Sequence, residues 1–296
     1  MREYDMTTGD YLLVCENVKK NYGDFNMDCS ITLKKGSVTG LIGKNGAGKT
    51  TLFKTLLGIV NADGGQIYWE GKPVTCLDKQ MRSMVGVVLS DSFVSGFLQV
   101  VDLVAILQQM YPTFEKKAFL SICEKYSIPL KKPIKDFSTG MKAKLKVLTA
   151  LSHKTKLLIL DEPTSGLDVV ARDEILQLLR EYLEEEERTI LISSHISTDL
   201  EGLCDDIYMI DDGKIVLHED TDVLLSEYGV LKVTEEQMKA LDKSYLLKVK
   251  EEPFGYRILT NQKEYYQDNY PQIAVEKGSI DEVIMLMVSG KVLENK

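Results

Sequence analysis

The chain has 296 residues, 44% of them hydrophobic and 27% charged, with a formal net charge of −9. That length and balance predict a soluble globular protein with one large domain and a small one, and the acidic excess argues against nucleic acid as the main partner. Five scattered cysteines (Cys15, Cys29, Cys76, Cys123, Cys204) without a CxxC pair exclude a disulfide framework and a zinc site, and fit reduced, mostly buried thiols.

Residues 1–10 are polar and lack the apolar core of a signal peptide. No run approaches the ~18 apolar residues that span a bilayer, so a membrane role has to come through a partner. Residues 11–18 alternate loosely and predict a strand, with a turn at Asn21-Tyr22-Gly23-Asp24 and a second strand over 26–33. A third, apolar run at 38–42 leads into Gly43-Lys44-Asn45-Gly46-Ala47-Gly48-Lys49-Thr50, and a helical pattern covers 51–57. Strand, glycine-rich loop and helix in that order turn GxxxxGK[ST] into a phosphate cradle. Glycines let backbone N–H groups close around a polyphosphate, and the new helix offers its positive dipole end. Lys49 is then the cation for the β/γ-phosphates and the Thr50 hydroxyl a ligand for Mg²⁺. Tyr22, in the first turn, is either an aromatic that stacks on a base or a packing residue at a strand end.

Residues 61–65 form a turn cluster, and 66–69 with 72–75 read as a hairpin that holds the single tryptophan, Trp69, as a core residue. A buried strand over 85–89 ends at Ser90-Asp91-Ser92. Residues 101–110 and 114–126 are helical, punctuated by Pro112, Pro129 and Pro133, and predict a helical insert in an α/β domain. Ser138 suits the N-cap of a Lys- and Leu-rich helix through Leu151, which on its own is an ordinary capped amphipathic helix. The apolar run before Asp161-Glu162 places both carboxylates at the C-terminal edge of a buried strand, where open α/β sheets bind ligands. Asp161 is the expected second acid for Mg²⁺, and Glu162 is placed to polarise a water for attack on the γ-phosphate. Residues 164–168 read as a loop, 170–183 as an amphipathic helix and 189–192 as another buried strand, with His195 at its tip on the same edge. His153 and His218 have no companions and read as structural or exposed.

Taken in sequence, these motifs resemble the ATP-binding subunit of an ABC transporter over roughly residues 11–222. Gly43 to Thr50, with Thr51, is similar to the family's Walker A motif, and residues 157–161 to its Walker B strand. Glu162 stands at the catalytic carboxylate, Ser165-Gly166-Leu167-Asp168 at the D-loop and His195 at the switch histidine. Phe137-Ser138-Thr139-Gly140-Met141 resembles a variant of the signature motif that occurs in ABC-2-type exporters. Tyr22 falls where the family stacks an aromatic on adenine. One departure is marked: Ser90, followed by Asp91, stands where the family's Q-loop has a glutamine that touches Mg²⁺ and the attacking water. The expectation is that Asp91, or a water held by Ser90, substitutes.

The resemblance implies an α/β P-loop core with an N-terminal antiparallel β part, and a helical subdomain over about residues 92–150. It implies ATP and Mg²⁺, a second ATP-binding chain (the same or a different one) and a separately encoded membrane permease at the inner face of the cell membrane, in the direction of export. Two chains would pack head to tail, each ATP held by Lys49 and Thr50 of one and Ser138 and Gly140 of the other, with Asp168 near the shared site. Residues 223–296 carry no motif; strands over 229–233, 245–250, 256–260 and 272–275, with helices over 234–241 and 279–289, predict a small α+β domain. Both helices open with capping boxes, Thr234/Gln237 and Ser279/Glu282. Tyr265, Tyr266 and Tyr270 fall between these elements and pack on the small sheet, and Met285 and Met287 read as core. Rival readings are a soluble ABC-type ATPase acting on the ribosome or DNA, a P-loop small-molecule kinase, and an ATP-gated regulatory subunit that hydrolyses little.

Overall fold

Two long strands, β1 (Tyr11–Tyr22) and β2 (Phe25–Lys34), open the computed structural model, which describes residues 9–75, 77–91, 93–185 and 187–292. They pair antiparallel across the two-residue turn Gly23-Asp24, with Tyr22 opposite Phe25. β1 therefore runs past the expected 11–18 to Tyr22. Its far end is tied down by Asp63, which accepts the Asn21 N–H at 2.7 Å and pairs with Lys20 at 2.8 Å.

β3 (Val38–Ile42) is buried at all five positions and feeds α1 (Lys49–Leu56) through the glycine loop. β4 (Gly64–Trp69) and β5 (Lys72–Val74) form the expected hairpin on β1, with Trp69 in the core. The short α2 (Lys79–Arg82) precedes β6 (Val85–Val88). Then come α3 (Val100–Met110), α4 (Lys116–Lys125) and α5 (Thr139–Ala150), followed by β7 (Leu157–Asp161), α6 (Val169–Leu183), β8 (Thr189–Ser194) and α7 (Ser197–Glu201). A hairpin that the motif reading passes over, β9 (Asp206–Asp211) and β10 (Lys214–Asp220), completes a ten-stranded sheet in the order β5-β4-β1-β2-β10-β9-β3-β8-β7-β6.

The neighbours β9, β3, β8, β7 and β6 are parallel, so this half of the sheet is covered on both faces. Alternate residues go to opposite cores: Leu158, Leu160, Ile190 and Ile192 to one, Leu157, Ile159 and Leu191 to the other. Each such leucine or isoleucine contributes roughly 1.5–3 kcal/mol on burial. α5 sits close against β6 because Gly86 has no side chain; a Cβ there would lie 2.4 Å from the Ala150 carbonyl oxygen. That close approach sets one wall of the candidate site.

The remainder comprises α8 (Thr221–Ser226), β11 (Gly229–Val233), α9 (Glu235–Ala240), β12 (Leu246–Glu252), β13 (Gly255–Thr260), α10 (Lys263–Asn269), β14 (Ala274–Lys277) and α11 (Ile280–Ser289). The four strands form a second antiparallel sheet, β12-β13-β11-β14, and both capping boxes are present. Tyr265 and Tyr266 are not between elements but on α10, with Tyr266 buried, and Tyr270 caps that helix. Met285 and Met287 are half-buried rather than core. Leu224, Tyr228, Val230, Leu259, Ile280, Val283 and Leu286 join the same apolar cluster as the large sheet, and α11 packs on α7. Cys15, Cys29, Cys123 and Cys204 are buried free thiols; Cys76 lies outside the described residues. Among the described residues no helix is long and apolar enough to cross a membrane.

Candidate functional site

A cavity of about 910 Å³ opens at the C-terminal edge of β3, β6, β7 and β8, between the glycine loop and α5. Asn45, Gly46, Gly48, Lys49, Thr50 and Thr51 line it from the loop and α1. Gly43 lets the loop leave β3 against β9, since a Cβ there would sit 2.3 Å from the Ile210 carbonyl oxygen. α1 starts at Gly48 with no side-chain cap, so its first N–H groups stay available to an anion. A second cavity, about 960 Å³, lies among β1, β2, β9 and β10 and has no glycine loop.

Lys49 is 6% exposed; its ammonium donates to the Gly43 carbonyl and pairs with Glu162 Oε1 at 3.3 Å. Asp161, 1% exposed, accepts from three hydroxyls that come from three other elements or their ends. Thr50 Oγ1 donates to Oδ2 at 2.7 Å, Ser90 Oγ to Oδ2 at 2.9 Å and Ser193 Oγ to Oδ1 at 2.7 Å. A buried carboxylate ringed by hydroxyl oxygens is a hard donor set, and it fits Mg²⁺ better than a softer metal.

Register then sets the next pair. Asp161 lies opposite Ser193 across the parallel β7–β8 ladder, which puts Glu162 beside the end of β8. Glu162 N–H reaches Ser193 Oγ at 3.0 Å, and its side-chain Oε2 accepts from the His195 N–H at 3.2 Å and bonds His195 Nδ1. Glu162 holds φ +52, a left-handed value for a residue with a side chain, at a cost of order 1–3 kcal/mol. Its Oε1 is buried and accepts no hydrogen bond, facing only the Lys49 charge. A base held this way can take a proton from water at the cavity while Lys49 screens the developing charge.

Other sequence-predicted residues lie elsewhere in the single chain. Tyr22 is 51% exposed beneath Lys20 Nζ, at 5.4 Å, and does not line the cavity; Phe25, its partner across the turn, does. Asp91 is turned to the surface and pairs with Lys54 at 2.7 Å, so of the two Q-loop candidates only Ser90 reaches Asp161. Ser138 is exposed and caps α5 by accepting the Met141 N–H at 3.2 Å, while a Cβ on the adjacent Gly140 would meet Ala171 at 3.0 Å. Asp168 caps α6 by accepting the Ala171 N–H at 2.9 Å. The sequence reading missed Ser193, the third hydroxyl on Asp161, and the α5 residues Thr139, Lys142, Ala143 and Lys146 that line the cavity. Their i, i+3, i+4, i+7 spacing, one face of a helix, was the available signal.

His153 is buried, as a structural histidine should be, and stacks on Tyr111 at 3.7 Å; His218 stacks on Tyr208 and pairs with Asp206 at 2.6 Å.

Comparison with known proteins gives one consistent match. A family model described as ABC transporter covers residues 27–165. The ABC transporter ATP-binding protein YtrB of Bacillus subtilis is 33% identical over 201 residues, 68% of each chain. The lantibiotic transport ATP-binding protein SrtF of Streptococcus pyogenes is 35% identical over 215 residues, 71% of this chain and 92% of that one. Among solved structures, cbiO1 from Clostridium perfringens, part of the ABC transporter complex cbiONQ, superimposes with a TM-score of 0.60 at 25% identity, over 89% of this chain and 97% of that one.

Proposed function

The chain belongs to the ATP-binding proteins of ABC transporters, and from that premise we propose that it hydrolyses Mg²⁺-ATP as half of a head-to-tail dimer that drives a separately encoded membrane permease, in the direction of export. The observation that carries this reading is the convergence of Thr50, Ser90 and Ser193 on the buried Asp161, beside the Lys49–Glu162–His195 contacts. Thr50 and Asp161 hold the Mg²⁺, whose role is to neutralise charge on the phosphates. Lys49 and the free N–H groups of α1 bind the polyphosphate. Glu162 accepts the proton of the attacking water, and His195 fixes the carboxylate through its ring and its backbone N–H. Phe25, more than Tyr22, is the aromatic on hand for the base.

The edge formed by the exposed Ser138 and the half-buried Gly140 is placed to meet the partner's nucleotide, and Val169 and Val170, 81% and 71% exposed next to Asp168, offer an apolar pair for the same contact. Export is favoured by the signature variant and by the lantibiotic transport role in the name of SrtF. Residues 1–222 form the nucleotide-binding unit in this reading, and 223–296 a regulatory or dimerising one. Extraction from native membranes in mild detergent tests it: a polytopic membrane protein should come with the chain in stoichiometric amount, and a wholly soluble pool, or ribosomal companions, would refute it.

A second reading has one observation in its favour. With Ser90 in place of a glutamine, and its hydroxyl on Asp161, the chain could bind ATP as a gate and turn it over slowly. Multiple-turnover phosphate release separates the two.

A further inference from the structure

The face of α5 that meets the cavity consists of Thr139, Lys142, Ala143 and Lys146. Lys144, off that face, is neutralised by Glu174 on α6 at 2.8 Å. Lys146 is not neutralised. It is half-buried at the edge of β6, its Nζ 3.5 Å from the Leu89 carbonyl oxygen and 5.8 Å from the Phe93 ring. Among the described residues no carboxylate stands within ion-pair reach of it. Asp91, the acid that most influences it, is committed to Lys54 at 2.7 Å.

Burial pushes the Lys146 ammonium below the ordinary lysine range. A partly desolvated cation with one weak carbonyl contact is unfavourable in isolation and gains most from an incoming anion. The neighbouring Ser90 cannot serve that purpose, because its hydroxyl is already donated to Asp161. A flexible four-carbon stem lets an ammonium follow a phosphate oxygen as the cavity fills.

We propose that Lys146 is a second phosphate ligand from the same chain, contacting the terminal phosphate of the bound nucleoside triphosphate from the α5 wall while Lys49 holds it from the glycine loop. This rests on the nucleotide-site reading above. Lys146 then contributes to telling triphosphate from diphosphate, which Lys49 cannot do alone because it spans the β/γ region.

The test is equilibrium binding of fluorescent ATP and ADP analogues, with Mg²⁺, to the full-length protein and to Lys146→Met, Lys146→Arg and Lys49→Ala. Loss of one charge-assisted contact weakens ATP binding to Lys146→Met by about tenfold and leaves ADP binding unchanged. Lys146→Arg retains most of the preference for ATP, and Lys49→Ala weakens both nucleotides. Equal affinity ratios in wild type and Lys146→Met overturn the inference alone. Failure of the wild type to bind either nucleotide overturns the nucleotide reading and the inference with it. Should Lys146→Met not fold, as judged by circular dichroism, Lys146→Gln gives the same comparison.

Discussion

The Thr50 hydroxyl, in the first turn of α1, donates to Asp161 Oδ2 at the end of β7 over 2.7 Å, joining positions 111 residues apart. The bond brings together the glycine loop and the acidic strand end, the two parts of the proposed Mg²⁺-phosphate site. Substitution at Thr50 tests it with shape held constant. Thr50→Ser keeps the hydroxyl and should retain Mg²⁺-dependent turnover. Thr50→Val keeps the volume, loses the oxygen and should lower turnover at fixed Mg²⁺ by more than about tenfold. Phosphate release titrated against Mg²⁺ reads the difference.

The Lys49–Glu162 pair at 3.3 Å bears on the dimer. Glu162→Gln removes the proton acceptor but leaves the phosphate contacts, so an ATP-bound dimer should accumulate. Light scattering with excess Mg²⁺-ATP should show the mass double. An exclusively monomeric Glu162→Gln protein would count against the head-to-tail arrangement.

Burial also sets a pH dependence. His153 is buried against Tyr111, and burial pushes its pKa down to about 4. An unfolded chain protonates the same ring near pH ~6.5. Between those values the unfolded state binds a proton that the folded state refuses, so stability is full above about pH 6.5 and declines as pH falls towards 4. The loss is about 3 kcal/mol at most. His153→Phe preserves the stack and should flatten that part of the profile, read by urea denaturation at about pH 7 and about pH 4.5.

The two sheets share apolar side chains. Leu224, Tyr228 and Leu286 belong to the cluster beneath the large sheet, and α11 rests on α7, which starts two residues after His195. A chain cut after Asp222 should lose thermal stability and tend to aggregate, because it exposes that surface. An unchanged melting temperature would mean that residues 1–222 are stable without the C-terminal part.

Most of the parallel half of the sheet was legible because its strands are continuous apolar runs that end in chemistry: Ile42 before the glycine loop, Leu160 before Asp161, Ser194 before His195. The β9–β10 hairpin carries an Asp212-Gly213 turn signal, yet it bears no motif and escaped a reading led by motifs. α10 escaped for a different reason. Its tyrosines are weak helix formers, and burial of Tyr266 with hydrogen bonds from Tyr265 and Tyr266 to Asp242 decides the element. At the site, Asp161 and Glu162 could be found from sequence, but Ser193 and the α5 lysines are brought in by strand register and helix docking. Phe25 and Tyr22 face each other across one turn, and spacing alone does not say which one meets the cavity.

The most direct measurement is steady-state phosphate release from Mg²⁺-ATP by the full-length chain beside Glu162→Gln. The account predicts multiple turnovers for the wild type and a fall of at least about a hundredfold in the variant, with ATP binding kept. No turnover beyond the enzyme equivalent in the wild type, or equal rates in the two proteins, would contradict it.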